Sequence, residues 1–255
     1  MQILLASAKT MRAQSAVNVS EQLSKPAFAN EANSLVRELA QQSPEVLAKA
    51  FKCSLRIAQE SLRHYQQFFD AKGSQPAIIA YNGQAYKYLK AELFSHDDLL
   101  YAQQHLLITS FLYGLLRPLD SIHPYRLEGN MRLQACGGEN VFHFWKPLLT
   151  DSLIKTVKAD GGTLIHLSTE EYEHLFDWKR VQSEVNVVKP LFYVDNGLQF
   201  KIVAVLAKTC RGAMARHLIL RKAQSPDDLL DFETAGFTYQ PQLGDAQHPH
   251  FIKKI

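Results

Sequence analysis

Cysteine is scarce in this chain and is not arranged for structural use. The 255 residues include three cysteines, Cys53, Cys136 and Cys210, which lie far apart in the sequence and form no CxxC pair. A disulfide framework needs an even number of cysteines, and disulfides belong to oxidising compartments. The pattern therefore argues against a disulfide-rich secreted domain and favours a reducing, cytoplasmic location.

Long hydrophobic runs and a secretory signal are absent as well. Residues 1–9 hold a short apolar core without a basic start, which does not resemble a signal peptide. No later run is long enough to span a bilayer. We therefore expect a soluble protein that has no membrane partner.

The common catalytic motifs are missing from the chain. It contains no GxSxG, HExxH or GxGxxG, and no cysteine lies in a nucleophile motif. Glu171 and His174 have the i, i+3 spacing of carboxylate and imidazole metal ligands, but no second pair accompanies them. Because the chain has ten histidines, we favour a helix-surface position for His174. We expect no metal and no cofactor, and the sequence establishes no catalytic activity.

The composition favours one large core and a nearly balanced surface. Hydrophobic residues make up 46% of the chain, and 28 Lys and Arg stand against 25 Asp and Glu, for a formal net charge of +3. This length and composition predict a single domain over residues 1–255. The charge is too small to identify a nucleic-acid-binding protein, although it allows a local basic cleft.

Apolar runs alternate with helical patterns along the chain. Short apolar runs predict strands at residues 2–6, 77–80 and 163–167, and a pattern of helical period predicts a helical excursion near residues 30–70. Asp195-Asn196-Gly197 separates two β-rich runs and predicts an antiparallel hairpin. We therefore predict a mixed α/β (α+β) fold, with a mixed sheet in one compact domain.

Polar groups follow the predicted strands. Lys9 and Thr10 come after the first strand, and Glu171 follows the strand at residues 163–167. An ammonium and a hydroxyl group at a strand end suit a phosphate or a carboxylate. An ordinary surface lysine is the alternative interpretation of Lys9.

A predicted basic helix over residues 208–221 carries Lys208, Arg211 and Arg216 on a broad face. Its apolar residues are available for packing, so the helix can present these cations to a polyanion. A solvated basic face is the alternative.

Residues 112–128 crowd aromatic, basic and acidic groups around Gly and Pro. Tyr113 and Tyr125 are candidates for stacking on bases, and Arg117 and Arg126 for the charged rim of an anion-binding cleft. Glu128 joins Lys9 and Glu171 as a candidate catalytic group. The alternative is that these arginines and acids pair to fix the turn.

Several blocks, in order, carry a family resemblance over nearly the full length. They are Ala8-Lys9-Thr10, Tyr81-Asn82-Gly83 with Tyr86, Leu112-Tyr113-Gly114 through Arg117-Pro118-Leu119-Asp120, Pro124-Tyr125-Arg126-Leu127-Glu128, Phe144-Trp145, Glu171-Tyr172, and Lys208 with Arg211-Gly212, Met214 and Arg216. On these residues the chain resembles the YaaA peroxide-stress family of bacteria. It departs from the family's usual Ser-Pro-Ala-Lys-Thr start by carrying Ala6 and Ser7, and the family relatives lack a histidine at the position of His174.

The resemblance implies a compact α/β fold with a basic cleft, a helix-hairpin-helix element and DNA binding. It also implies a role in limiting damage from peroxide and free iron. We place the hairpin at Leu112-Tyr113-Gly114-Leu115, because such hairpins use a Gly turn whose backbone N–H groups meet phosphate.

Two main functions stay open at this point, together with a third, the direct sequestration of iron through His174. The first is a DNA-binding stress protein, in which the candidate cations converge on one cleft and contact duplex or distorted duplex DNA. The second is an enzyme acting on a nucleotide or damaged base, with Lys9 as nucleophile or anion clamp and Glu171 or Glu128 as acid-base group. A monomer is the expected state, although the sequence does not fix it.

Overall fold

The structure is a computed structural model that describes residues 1–12, 23–70 and 73–255. Its central sheet contains, in spatial order, β4 (Gly114–Leu116), β3 (Leu106–Ser110), β1 (Gln2–Ala6), β6 (Thr163–Leu167) and β7 (Asn186–Val188). All of these strands run parallel except β4, which is antiparallel to β3. Their short apolar sequences suit strands that are covered on both faces. The predicted mixed sheet is confirmed.

A second sheet packs beside the first. It is built, in spatial order, from β10 (Thr238–Gly244), β11 (Pro249–Lys254), β8 (Leu191–Asp195) and β9 (Phe200–Lys201). β8 and β9 form the antiparallel hairpin predicted from Asp195-Asn196-Gly197. A further short pair joins β2 (Gln75–Pro76) to β5 (Ser121–Ile122).

Helices cover the sheets and fill the predicted excursion. In chain order they are α1 (Ala29–Leu39), α2 (Pro44–Phe51), α3 (Leu55–Gln66), α4 (Ala77–Ala80), α5 (Gln84–Leu89), α6 (His96–His105), α7 (Val141–Ala159), α8 (Glu170–Glu173), α9 (Trp178–Glu184) and α10 (Ala204–Leu220). Single 3-10 turns occupy Ala91–Leu93, Gln134–Cys136 and Pro226–Leu229. Serine caps begin α2, α3 and α6, since each serine side chain accepts a hydrogen bond from a first-turn N–H.

Two local predictions were wrong. Ala77–Ala80, predicted as a strand, is the buried helix α4 that begins after Pro76. Four apolar residues show no period that separates a strand from a buried helical turn. Ser95-His96-Asp97-Asp98, an N-cap followed by acids, predicts a helix through Leu107. The observed helix α6 ends at His105, and β3 begins at the next residue without a loop.

Helix α10 packs against both β1 and β6, and it makes close contact with α5. The two helices meet at Gly212. A Cβ atom added to Gly212 would lie 1.9 Å from the carbonyl oxygen of Ala85, well inside van der Waals contact. Gly212 therefore sets the distance between α5 and α10.

We expect Gly212→Ala to push α5 and α10 apart and to lower the free energy of unfolding by about 1–3 kcal/mol, as overpacking does. Urea denaturation measures the change. Adding Ala85→Gly should not restore stability, because the atom that the new Cβ meets belongs to the backbone. An unchanged unfolding midpoint for Gly212→Ala would contradict the close helix contact.

Candidate functional site

The carboxyl ends of the parallel strands meet at one edge of the central sheet, where hydroxyl groups gather. Ser7 follows β1, Ser110 ends β3, and Tyr172 lies in α8 after β6. The Ser7 Oγ lies 2.9 Å from the Tyr172 hydroxyl, and the Ser110 Oγ lies 2.7 Å from the Tyr125 hydroxyl. Open α/β sheets place ligand sites at this edge.

A cavity of about 420 Å³ opens here. β1 and the residues that follow it, the start of α5, the segment after β6, and the first half of α10 form its walls. The candidate residues on these walls are Lys9, Thr10, Glu171, Lys208 and Arg211. Three cations thus face one carboxylate, which suits an anionic ligand.

Lys9 lies at the rim of the cavity and is tied to the segment that holds Arg126. Its Nζ is 2.7 Å from Glu128 Oε2, and Arg126 Nη2 is 3.3 Å from Glu128 Oε1. The Lys9 side chain is still 50% exposed, whereas that of Glu128 is 14% exposed. Glu128 therefore holds two candidate cations side by side and leaves one of them open to solvent. The pairing of Arg126 with Glu128 agrees with the alternative of a locked turn.

Thr10 joins the end of β1 to the start of α5. Its Oγ1 donates to the Asn82 carbonyl at 2.8 Å, and the Asn82 N–H donates to the Thr10 carbonyl at 2.9 Å. A Cβ on Gly83 would lie 2.6 Å from the Cβ of Ala8, so only glycine fits there. This close approach brings Lys9 beside the first turn of α5.

Arg211 is half-buried on the cavity wall, yet it makes no hydrogen bond or ion pair with any described residue. The acids near it are Glu170 and Glu173, and Lys189 Nζ binds Glu173 at 2.8 Å and lies 3.7 Å from Glu170. Burial lowers the pKa of Arg211, and Glu170 partly opposes this. Lys189 thus occupies the acids and leaves the guanidinium free for a ligand.

Tyr86 is a second unpaired group on the cavity wall. It is 3% exposed, and its buried hydroxyl has no hydrogen-bond partner among the described residues. Burial, with the neighbouring Tyr172 and Tyr125, raises its pKa well above the usual value, so the hydroxyl stays protonated. An unmade hydrogen bond of this kind costs about 1–3 kcal/mol.

Arg117 does not reach this cavity, which corrects the expectation of a shared cleft. Its guanidinium donates to Gln2 Oε1 at 3.0 Å and to the Gln104 carbonyl at 2.9 Å, both at the amino ends of parallel strands. Because β4 is antiparallel to β3, the residue after β4 lies at the opposite edge of the sheet. Only the Arg117 backbone N–H contacts Asp120, at 2.8 Å.

Arg216 also lies away from the cavity. Its guanidinium donates to the carbonyls of Leu89 and Lys90 at the end of α5 and covers the Phe94 ring. Five residues of an α-helix correspond to a rotation of about 140°, so Arg216 and Arg211 face different directions. Lys208 and Arg211, three residues apart, share one face.

Tyr113 and Tyr125 are interior groups, not platforms for bases. They are 3% and 8% exposed. Tyr113 stacks on Phe68, with 6.0 Å between ring centroids, and its hydroxyl accepts from the His123 N–H. The Tyr125 hydroxyl contacts those of Ser110 and Tyr81. These contacts position the loop that carries Arg126.

The segment around Gly114 is a β-hairpin, so the helix-hairpin-helix placement at Leu112–Leu115 was wrong. β3 and β4 pair antiparallel on either side of this turn. Gly114 has a φ of +71°, and a Cβ there would lie 2.8 Å from Leu149 and 3.0 Å from Trp145. Glycine is required at this position because the backbone packs closely against α7, and not because of a phosphate contact.

Glu171 and His174 line a second, open depression together with residues of α7, and Glu171 also lines the cavity. Within the described ranges, no three His, Cys, Asp or Glu side chains are grouped to hold a metal ion. Burial raises the pKa of Cys136 to about 11 and that of Cys210 to about 12. None of the helices in the described residues is long and apolar enough to cross a membrane.

Comparison with known proteins identifies the family. The family model described as peroxide stress protein YaaA matches residues 1–243. The chain belongs to the YaaA family. A UPF0246 protein of Bacteroides fragilis is 42% identical over 247 residues, which cover 96% of this chain and 95% of the relative. A UPF0246 protein of Phocaeicola vulgatus is 40% identical over 253 residues, or 99% and 98% of the two chains.

The YaaA assignment confirms the resemblance and supports a role in peroxide stress. Among the predicted site residues, the structure brings Lys9, Thr10, Glu171, Lys208 and Arg211 together, with Glu128 and Arg126 beside them. Sequence reasoning missed Tyr86 as a site residue. Gly83 provides a signal in retrospect, because a glycine opening a helix marks a close approach of backbone, and Tyr86 lies three residues later.

A buried histidine next to this site gives a test of the structure. His166 in β6 is fully buried; its Nε2 lies 3.5 Å from Glu173 Oε1, and neither ring nitrogen makes a hydrogen bond with a described residue. Burial, with Lys189 and Arg211, lowers its pKa to about 3. The folded protein therefore keeps His166 neutral, whereas the unfolded chain binds a proton below pH ~6.5.

We expect this histidine to reduce stability as pH falls from ~6.5 toward 3, by up to ~1.4 kcal/mol per pH unit. Chemical denaturation of the wild type and of His166→Phe across this range measures the effect. The free energy of unfolding of His166→Phe should depend less steeply on pH than that of the wild type, by the same amount per pH unit. Parallel profiles would contradict a neutral, buried His166.

Proposed function

We propose that the protein binds DNA at the cation-lined cavity and the groove beside it, as its contribution to the peroxide-stress role of the YaaA family. The observation that carries this proposal is Arg211. A half-buried guanidinium without an ion pair costs free energy unless an anion binds it. Lys208 lies on the same helix face, and Lys9 lies at the rim.

A groove of about 190 Å³ extends the site away from the cavity. Lys9 and Thr10 line both, and Arg126 lines the groove on one side. The opposite side is formed by α3 through Ile57, Glu60, Ser61 and His64. Cations therefore continue from the cavity along a path that an extended polyanion can follow.

The helical pair α2–α3 borders this groove and supports the proposal. Lys52 ends α2 in the left-handed region with a φ of +47°, and Ser54 caps α3 by accepting from the Ile57 N–H. Lys49, Lys52 and Arg56 are exposed around the turn. We propose that this pair, in place of the Gly114 segment, is the helix-hairpin-helix element that contacts phosphates.

The finer parts of the predicted function rest on the resemblance. A link to free iron, a cytoplasmic location and a monomeric state stay predictions. DNA binding gives a physical route to protection, because a bound protein excludes oxidants from the surface that it covers. We therefore propose protection at DNA as the route.

Removing the two helix cations tests DNA binding. We expect Lys208→Ala with Arg211→Ala to weaken binding of a duplex oligonucleotide by about tenfold per cation, as for charged hydrogen bonds. The slope of log affinity against log salt should fall by about 2. Fluorescence anisotropy at several salt concentrations measures both values.

The matched control is Lys155→Ala, an exposed cation on α7 outside the cavity and the groove. It changes the net charge without removing a proposed contact, so its affinity should stay near that of the wild type. A DNA affinity that does not depend on salt concentration would overturn the proposal. Equal losses of affinity in the control and the double variant would overturn it as well.

The second candidate function is an enzyme acting on a nucleotide or damaged base. The observation that favours it is the position of Lys9, whose Nζ lies at the cavity rim 2.7 Å from a carboxylate that can accept or return a proton. Glu171 provides another carboxylate in the same cavity.

The Lys9 amine would add to the aldehyde of abasic DNA and form an imine with loss of water, and borohydride reduces this imine to a stable amine crosslink. If this function holds, we expect the crosslink with the wild type and its loss with Lys9→Ala. The variant Lys155→Ala controls for a general loss of charge. Equal yields from the wild type and Lys9→Ala would eliminate Lys9 as the nucleophile.

A further inference from the structure

We infer that the cavity is a binding site for a single nucleotide, with the base in its interior and the phosphate against Arg211 and Lys208. The nucleotide is either one unstacked from bound DNA or a free nucleotide, since both present the same chemistry. The DNA-borne case rests on the proposed function. In that case the cavity adds a preference for DNA with an unstacked base.

The dimensions of the cavity favour a small ligand. About 420 Å³ lies within the range of small-molecule sites. Paired bases present only their edges in the grooves of a duplex, so a base reaches the interior of this cavity only after it leaves the stack. The cavity therefore fits one nucleotide, while the adjoining groove fits a backbone.

The walls divide into an apolar part and a charged part. Leu5 and Leu167 come from the two central strands, Ala85 from α5 and Val205 from α10. These side chains suit the faces of an aromatic ring. Lys9, Lys208 and Arg211 supply the cations, and an arginine fork matches two phosphate oxygens.

The Tyr86 hydroxyl is the second observation that points to a ligand. Tyr86 lines the cavity, and its hydroxyl is buried next to it without a hydrogen-bond partner in the described part of the chain. Because the hydroxyl stays protonated, it can donate to a ring nitrogen or carbonyl oxygen of a base. A ligand that fills this cavity supplies the missing partner.

Glu171 adds an acceptor to the same cavity. A carboxylate repels a ligand that is purely anionic, so inorganic phosphate alone is expected to bind weakly at this site. A base carries N–H donors as well as acceptors, and the nucleotide phosphate carries the negative charge. A nucleotide thus satisfies both the cations and Glu171.

Two variants separate nucleotide capture from backbone binding. Tyr86→Phe removes an unpaired hydroxyl, so the fold should be kept. Val205→Trp places a large ring at a cavity wall position that is 59% exposed, where it is expected to occupy the space of a base without changing a charge.

The experiment compares a duplex that contains a single-nucleotide bulge with the fully paired duplex, by anisotropy at one salt concentration. We expect the wild type to prefer the bulged duplex by about tenfold, which corresponds to one or two added hydrogen bonds. Tyr86→Phe should lose about fivefold of this preference, and Val205→Trp should lose nearly all of it. Because both residues line the cavity, the measured quantity is the ratio of bulged to paired affinity within each variant, and Lys155→Ala, outside the cavity, should keep the wild-type ratio.

A second arm adds a deoxynucleoside monophosphate as a competitor, with inorganic phosphate as its control. Competition by the nucleotide supports the site if it is lost in Val205→Trp. Such competition without a preference for bulged DNA identifies free nucleotides as the ligand. Equal binding of bulged and paired DNA together with no competition would overturn the inference while leaving DNA binding intact. If no DNA binds but the nucleotide does, the proposed function fails and the nucleotide site stands.

Discussion

The parallel alignment of β1, β3 and β6 is the constraint on which the rest of the site depends. Parallel strands end at one edge, so three separate segments of the chain deliver polar groups to the same place. Ser7, Ser110 and Tyr172 arrive there from three strands and are joined by hydroxyl contacts through their neighbours. Lys9 and Thr10 follow the last residue of β1 by three and four residues, which is why they reach the cavity.

Charge pairing then decides which cations are left for a ligand. Lys189 holds Glu173, and Glu128 holds Lys9 and Arg126, so two of the acids near the site are engaged by other groups, while Glu171 lies on the cavity wall. Arg211 is the half-buried cation that these pairings leave without a partner in the described residues. A small formal net charge of +3 on the molecule is thus compatible with a local site that attracts anions.

Much of the fold was predictable from the sequence, while the site was predictable only in part. β1 and β6 carry distinct apolar runs bounded by polar residues, so Lys9, Thr10 and Glu171 were placed correctly. β3 was missed because it continues a helix without a turn residue. Because β3 was not predicted, the antiparallel turn into β4 was not predicted either. Arg117 was therefore placed at the edge with the cavity instead of at the opposite edge of the sheet. Predicting the position of Arg216 required the rotation between residues 211 and 216 of the helix. Predicting Tyr86 as a site residue required the tertiary contact at Gly83, which no local sequence pattern contains.

The contact of Gly212 with the Ala85 backbone has a consequence for selectivity. The two helices that carry Tyr86 and Arg211 touch through backbone atoms that no rotamer change can move, so the helices cannot come closer together. In the proposed nucleotide site, this contact sets the smallest width of the cavity. A relative that binds a smaller ligand then has to narrow the cavity with larger lining side chains, not by closer packing of its helices.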